Sequence, residues 1–184
     1  DLVGKAISIL ANKAGIYGMI GGQSVDVEYT DRPVTKSQLE FIYELKTAAL
    51  LEAAMMIGAV LAGADDNQVK AAEQIAHHVG MAFQIRDDIL DVISTTEELG
   101  KPVKSDEKNN KTTYVTIYGL DGASKLVEEY SHTAMTLLDQ VCPNASFLKA
   151  TLRVSNCKKK IGIIFKPNDA KGGRLWYLIK YRAE

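Results

Sequence analysis

The chain has 184 residues, enough for one domain with a sizeable core and too few for two comfortable ones. Apolar residues make up 46% and charged residues 24%, an ordinary globular balance that argues against disorder. A formal net charge of -1 supplies no global field for nucleic acid or an anionic membrane, so any anion site must be local. Cys142 and Cys157 do not make a disulfide framework and read as free thiols, which points to a reducing, cytoplasmic compartment. Asp1 to Lys5 run directly into a helical pattern with no start methionine and no signal peptide, as in a chain that begins inside a larger protein. The longest apolar stretch, 48–62, is interrupted by Glu52 and falls short of the roughly 20 residues that span a bilayer.

Val3, Ala6, Ile7, Leu10, Ala14 and Tyr17 recur at helical spacing, which predicts an amphipathic helix from residue 2 to about 20, broken by Gly21-Gly22. Residues 29–33 read as a loop, because Pro33 disfavours helix at the position before it. Ser37-Gln38-Leu39-Glu40 matches a capping box, so a long helix should run to about Leu61 and end at Gly63. Asp65-Asp66-Asn67 caps a second long helix, whose apolar positions carry it to about Val92. A polar segment follows from Ser94 to Asn110. Thr112 to Tyr118 is β-branched and aromatic, but a lone strand would have no partner, so helix is expected there. Asp121 can cap a final helix with Leu126, Val127, Tyr130, Ala134, Leu137, Leu138 and Val141 on its apolar face. After about Thr151 the helical period stops, and short apolar runs alternate with Pro167 and Gly172-Gly173. The expected fold is all-α, a bundle of long helices with one polar loop.

The chemistry centres on Phe83-Gln84-Ile85-Arg86-Asp87-Asp88-Ile89-Leu90-Asp91. Asp87 and Asp91 are four apart and share a helix face, with Asp88 beside them and Gln84 one turn earlier. Two carboxylates about 5 Å apart repel by roughly 3 kcal/mol at an effective dielectric near 20. A helix that keeps such a cluster in an apolar run calls for a cation, and magnesium favours one or two carboxylates together with substrate phosphates. Taken alone, five residues are more readily read as a solvated acidic face, capped or paired by Arg86 or lysines. The setting adds weight: Lys46-Thr47 begins the most apolar helix, where an unpaired ammonium would be costly to bury. Lys101, Lys104, Lys108 and Lys111 follow shortly after the carboxylates. Each lysine alone reads as a surface residue; with the acidic cluster they make a diphosphate site.

Gly22-Gln23-Ser24-Val25-Asp26, Lys46-Thr47, the 83–91 segment, Gly100-Lys101-Pro102 and Ser105-Asp106 with Lys111-Thr112-Thr113 resemble, in order and spacing, the successive motifs of polyprenyl synthetases. The likeness covers about residues 2 to 152 and leans toward bacterial short-chain members such as the farnesyl diphosphate synthases. It implies the isoprenoid synthase helical bundle, a magnesium-dependent prenyltransferase and a homodimer. It also implies roles: Asp87, Asp88 and Asp91 would hold Mg2+, while Lys46 and Lys101 would bind the allylic diphosphate, helped by Thr47 and Gln84. Phe83 would lie near the isopentenyl group, Gln23 and Asp26 would line the same cavity, and Lys111 would add phosphate charge. The partners implied are isopentenyl diphosphate and an allylic diphosphate.

The likeness also has gaps. A first aspartate-rich motif followed by an arginine pair is absent, and Asp65-Asp66 does not replace it, so roughly the N-terminal half of such an enzyme is missing and this chain alone is expected to be inactive. Residues 153–184 match nothing in the family pattern, and an altered or frameshifted terminus is expected. Two other readings fit the same residues: a catalytically silent helical subunit, and a helical metal- or phosphate-binding module. His77-His78, Met55-Met56 and Trp176 read as packing residues, since adjacent histidines point about 100° apart on a helix.

Overall fold

Local capping chemistry decides where the helices begin. In the computed structural model, which describes residues 1–94, 111–155, 162–164 and 178–180, the Asp1 carboxylate accepts from the amide of Val3 and opens α1 (Leu2–Ala14). The chain breaks at Gly15 to Gly18 and resumes as α2 (Met19–Glu28). Thr35 and Gln38 cap each other's amides and start α3 (Lys36–Tyr43), one turn of π-helix follows at Glu44–Ala48, and α4 (Ala49–Leu61) continues from it. Asp65 and Gln68 form a second capping box for α5 (Asp66–Ile93). Thr113 and Thr116 form a third for α6 (Tyr114–Val141). The last helix, α7, covers Ser146–Ser155.

Two sequence expectations are corrected here. The first helix ends at Ala14, and Gly21-Gly22 lies inside α2 instead of ending anything. The reason is packing: a Cβ on Gly22 would lie 2.5 Å from the amide nitrogen of Lys46 and 2.7 Å from Leu45 Cβ. The glycine lets α2 press against the π-helical turn. The first capping box uses Thr35 and Gln38, two residues upstream of the expected Ser37 and Glu40.

The turn at Gly63 and the start of α5 agree with the pattern, whereas α6 starts at the Thr113 cap and not at Asp121, which lies inside it two residues after Gly119. Gly63 has φ +81°, the left-handed value a helix C-terminus favours for glycine. Residues from Tyr114 are helical, as the missing strand partner required, and α6 bends at Gly119, whose φ is +70°. The polar segment at 95–110 lies outside the described residues. In the tail, β1 (Gly162–Ile164) pairs antiparallel with β2 (Leu178–Lys180), Ile163 opposite Ile179. These are the strands found among the described residues; the fold of the rest is all-α.

α5 is the central helix, packed against α4, the π-helical turn and α6. Toward its C-terminal half, Met81, Ala82, Ile85 and Ile89 meet Leu39, Ile42 and Tyr43 from α3 and Tyr114, Ala123 and Val127 from α6. Nearer its start, Ile75 packs with Ala134, Leu138 and Leu152. Ile85 is 0% exposed, and burying such a side chain contributes about 1.5–3 kcal/mol. The larger cluster therefore fixes the α3–π-turn–α5–α6 arrangement that carries the polar residues below.

Candidate functional site

The π-helical turn presents Lys46 and Thr47. Such turns insert one extra residue into a helix and recur at functional sites. The Thr47 hydroxyl donates to Gln84 Oε1 at 2.9 Å, which ties the turn to α5 one helical turn ahead of Asp87 and Asp88. The Lys46 ammonium reaches back to Asp26 Oδ2 at 2.5 Å, and Lys111 approaches the other oxygen at 3.4 Å. Partial burial pushes the Asp26 carboxyl up. The hydrogen bond from Lys46 and the charges of Lys111 and Lys46 outweigh this and hold it below the ordinary carboxylate range. Lys46 is thus neutralised by a partner from α2, which removes the cost of an isolated buried ammonium.

Asp26 lines a cleft of about 420 Å³ together with Tyr29, Arg32, Val34, Lys111 and Thr112. Thr112 Oγ1 accepts from the Val34 amide at 3.3 Å, so the α2–α3 loop and the start of α6 are stitched together there. Gln23 does not share this cleft. It lines a shallow, mainly apolar groove along α2 with Met19, Ile20 and Val27. Phe83 is 53% exposed on α5.

The three aspartates do not converge. Asp87 is half-buried, while Asp88 and Asp91 are only 4% and 3% exposed. The Asp88 carboxylate turns into the core, where the Tyr43 hydroxyl donates to it at 2.7 and 2.9 Å and the Tyr114 amide at 3.1 Å. Among the described residues no three His, Cys, Asp or Glu side chains come together as a metal-holding group. Helical spacing explains this: Asp87 and Asp91 share a face, whereas Asp88 is rotated by about 100° toward the α3 and α6 side. Lys101 lies outside the described residues.

So Lys46, Thr47 and Gln84 are brought together, Asp26 and Lys111 join them through Lys46, and Gln23 and Phe83 stand on neighbouring surfaces. Tyr43 and the Tyr114 amide have no motif that announces them. The only sequence sign for Tyr43 is its place three residues before Lys46 in the helix expected there.

A second polar cluster lies between α1, α4 and α5. The Lys13 ammonium bonds Glu52 and, at 2.6 Å, Glu73; His77 Nδ1 lies 3.1 Å from the other Glu52 oxygen. The hydrogen bond that His77 donates to Glu52 raises the His77 pKa against a smaller opposing effect of burial. Burial pushes the Glu52 carboxyl up, but His77 and Lys13 more than compensate and leave it below its ordinary range.

Comparison with known proteins matches the chain to the polyprenyl synthetase family over residues 5–141. It is 44% identical to a farnesyl diphosphate synthase of Geobacillus stearothermophilus over 121 residues, covering 66% of this chain and 41% of that protein. It is 41% identical to a geranylgeranyl diphosphate synthase of Cyanophora paradoxa over 129 residues, covering 70% and 43%. Among solved structures, a geranyltransferase of Helicobacter pylori complexed with magnesium and isoprenyl diphosphate superimposes with a TM-score of 0.71 at 32% identity, covering 84% of this chain and 50% of that one. The chain thus spans less than half the length of these curated relatives.

Proposed function

Because this chain belongs to the polyprenyl synthetase family, we propose that it forms the diphosphate-binding part of a trans-prenyltransferase that condenses isopentenyl diphosphate with an allylic diphosphate. The observation that carries this reading is the Thr47–Gln84 hydrogen bond, which sets the Lys46 turn against the helix bearing Asp87 and Asp91. Lys46, with Lys101 and Lys111, would hold the allylic diphosphate, and Thr47 and Gln84 would fix its orientation. Asp87 and Asp91 fit Mg2+, a hard cation that takes one or two carboxylates and fills its shell with water and phosphate oxygens. When bound, the metal supplies charge stabilisation for the departing diphosphate.

In the reaction so assigned, the allylic carbon–oxygen bond breaks and its electron pair leaves with the diphosphate. The isopentenyl double bond then forms the new carbon–carbon bond to the allylic cation, and a proton passes to the released pyrophosphate. Lys46 would favour the first step by meeting the charge that develops on the leaving oxygens. Phe83 would lie near the isopentenyl group, and Gln23 and Asp26 would line the substrate cavity. We place the working enzyme in the cytoplasm as a homodimer. Among the described residues no helix is long and apolar enough to cross a membrane. This chain, with one aspartate-rich segment, is expected to bind pyrophosphate without turning substrate over.

Calorimetric titration of the 184-residue chain with inorganic pyrophosphate tests the reading. Binding should require Mg2+, and Lys46→Ala should weaken it about tenfold or more, the loss of one charge-assisted contact. Metal binding indifferent to pyrophosphate would instead mark a helical metal-binding module.

A further inference from the structure

Within the acidic segment, Asp88 accepts hydrogen bonds from two other elements, α3 and α6. Its oxygens accept from the Tyr43 hydroxyl at 2.7 and 2.9 Å and from the Tyr114 amide at 3.1 Å, with the side chain 4% exposed. Tyr43 is the last residue of α3 and directly precedes the turn that carries Lys46 and Thr47. Tyr114 is the first residue of α6, three positions after Lys111. The two tyrosine rings pack on each other, centroids 5.3 Å apart, within the larger core cluster. One carboxylate therefore joins the two chain segments from which ammonium groups reach Asp26.

We propose that Asp88 is a positioning residue and not a metal ligand: it fixes the Lys46 turn and the Lys111 segment so that their ammonium groups converge on one anion. A buried carboxylate must be compensated by hydrogen bonds. Here the compensating donors belong to the segments that have to be placed, so the residue's own stability and the site's geometry are satisfied by the same contacts. The role deepens the diphosphate reading above and rests on it.

The test uses Asp88→Asn, Tyr43→Phe, the double variant and Asp87→Asn in the 184-residue chain. Pyrophosphate affinity is measured at saturating Mg2+, and the Mg2+ midpoint at fixed pyrophosphate. Asp88→Asn and Tyr43→Phe should each weaken pyrophosphate about tenfold, as loss of an outer-shell orienting bond does, while the Mg2+ midpoint stays within about twofold. The double variant should be no weaker than the worse single one, because both remove one interaction. Asp87→Asn should move the Mg2+ midpoint about tenfold or more. Equal shifts of the midpoint in Asp88→Asn and Asp87→Asn would overturn the proposal, as would unchanged pyrophosphate affinity in Tyr43→Phe. If the wild-type chain binds no pyrophosphate, the diphosphate reading fails by itself. Amide hydrogen exchange then decides the placement: faster exchange at 44–48 and 114–118 in both single variants supports it, and unchanged exchange removes it.

Discussion

Two charged clusters show how a neutral chain arranges local fields. At Asp26, two lysines from distant positions meet one carboxylate; at Glu52, Lys13 and His77 do the same. The second cluster makes stability depend on pH with a sign that can be worked out. His77 has its pKa raised above the ordinary 6.5, so its pairing stabilises fully below that value and is lost as pH rises through the folded pKa. Glu52 has its pKa lowered below 4.5, so its contribution is present above that value and is lost as pH falls through the folded pKa. Burial lowers the pKa of the neighbouring His78, which opposes stability below pH 6.5 whether or not residue 77 is histidine. We therefore expect His77→Asn to cost about 1 kcal/mol near pH 5.5 and clearly less above pH 8, measured by denaturant unfolding at both values. A pH-independent difference would show that His77 contributes by shape alone.

The helices were legible in the chain wherever a local signal also served the tertiary structure. Asp65 with Gln68, Gly63 and the apolar rows of α5 and α6 each say the same thing at both levels. Gly21-Gly22 misled because glycine marks helix ends and close approaches alike, and only the partner, here Lys46 and Leu45, tells which. The π-helical turn has no sequence signature, since its extra residue is accommodated by neighbours and not by local propensity. The site was legible as a set of residue types, but the inward turn of Asp88 depends on Tyr43 and Tyr114, which are 45 and 26 residues away.

Gly80 faces the same turn from α5: a Cβ there would lie 2.6 Å from Ala48 Cβ. Gly80→Ala should cost about 1–3 kcal/mol by overpacking. It should also weaken pyrophosphate binding, since Ala48 is two residues from Lys46; a thermal melt and a titration together check this. At the α6 bend, Gly119 has φ +70° and open space around the missing Cβ, so Gly119→Ala should cost about 1–2 kcal/mol through backbone strain alone. An unfolding measurement showing no loss would mean that the bend relaxes.

The described surface carries many large apolar side chains near the start of the chain: Leu2, Val3, Ile7 and Leu10 on α1, Ile16 and Tyr17 in the break after it, and Ile20 and Val27 on α2 are all exposed. Apolar surface, where such side chains adjoin, marks contact with other protein. The curated relatives contain more than twice the chain length matched here. The 184-residue chain is accordingly expected to bind a hydrophobic dye strongly. Ile7→Glu with Leu10→Glu should reduce that binding while leaving the unfolding midpoint within about 1 kcal/mol equivalent, as for exposed positions.

The five-residue turn at Glu44–Ala48 has one more implication. Its surplus residue sets the angular phase of everything after it along the continuous rod from Lys36 to Leu61. Excising one residue there would convert the turn to ordinary α-helix and rotate Ala49, Ala53 and Val60 by about 100° out of the interior they now fill. The rod tolerates changes of letter far better than a change of count.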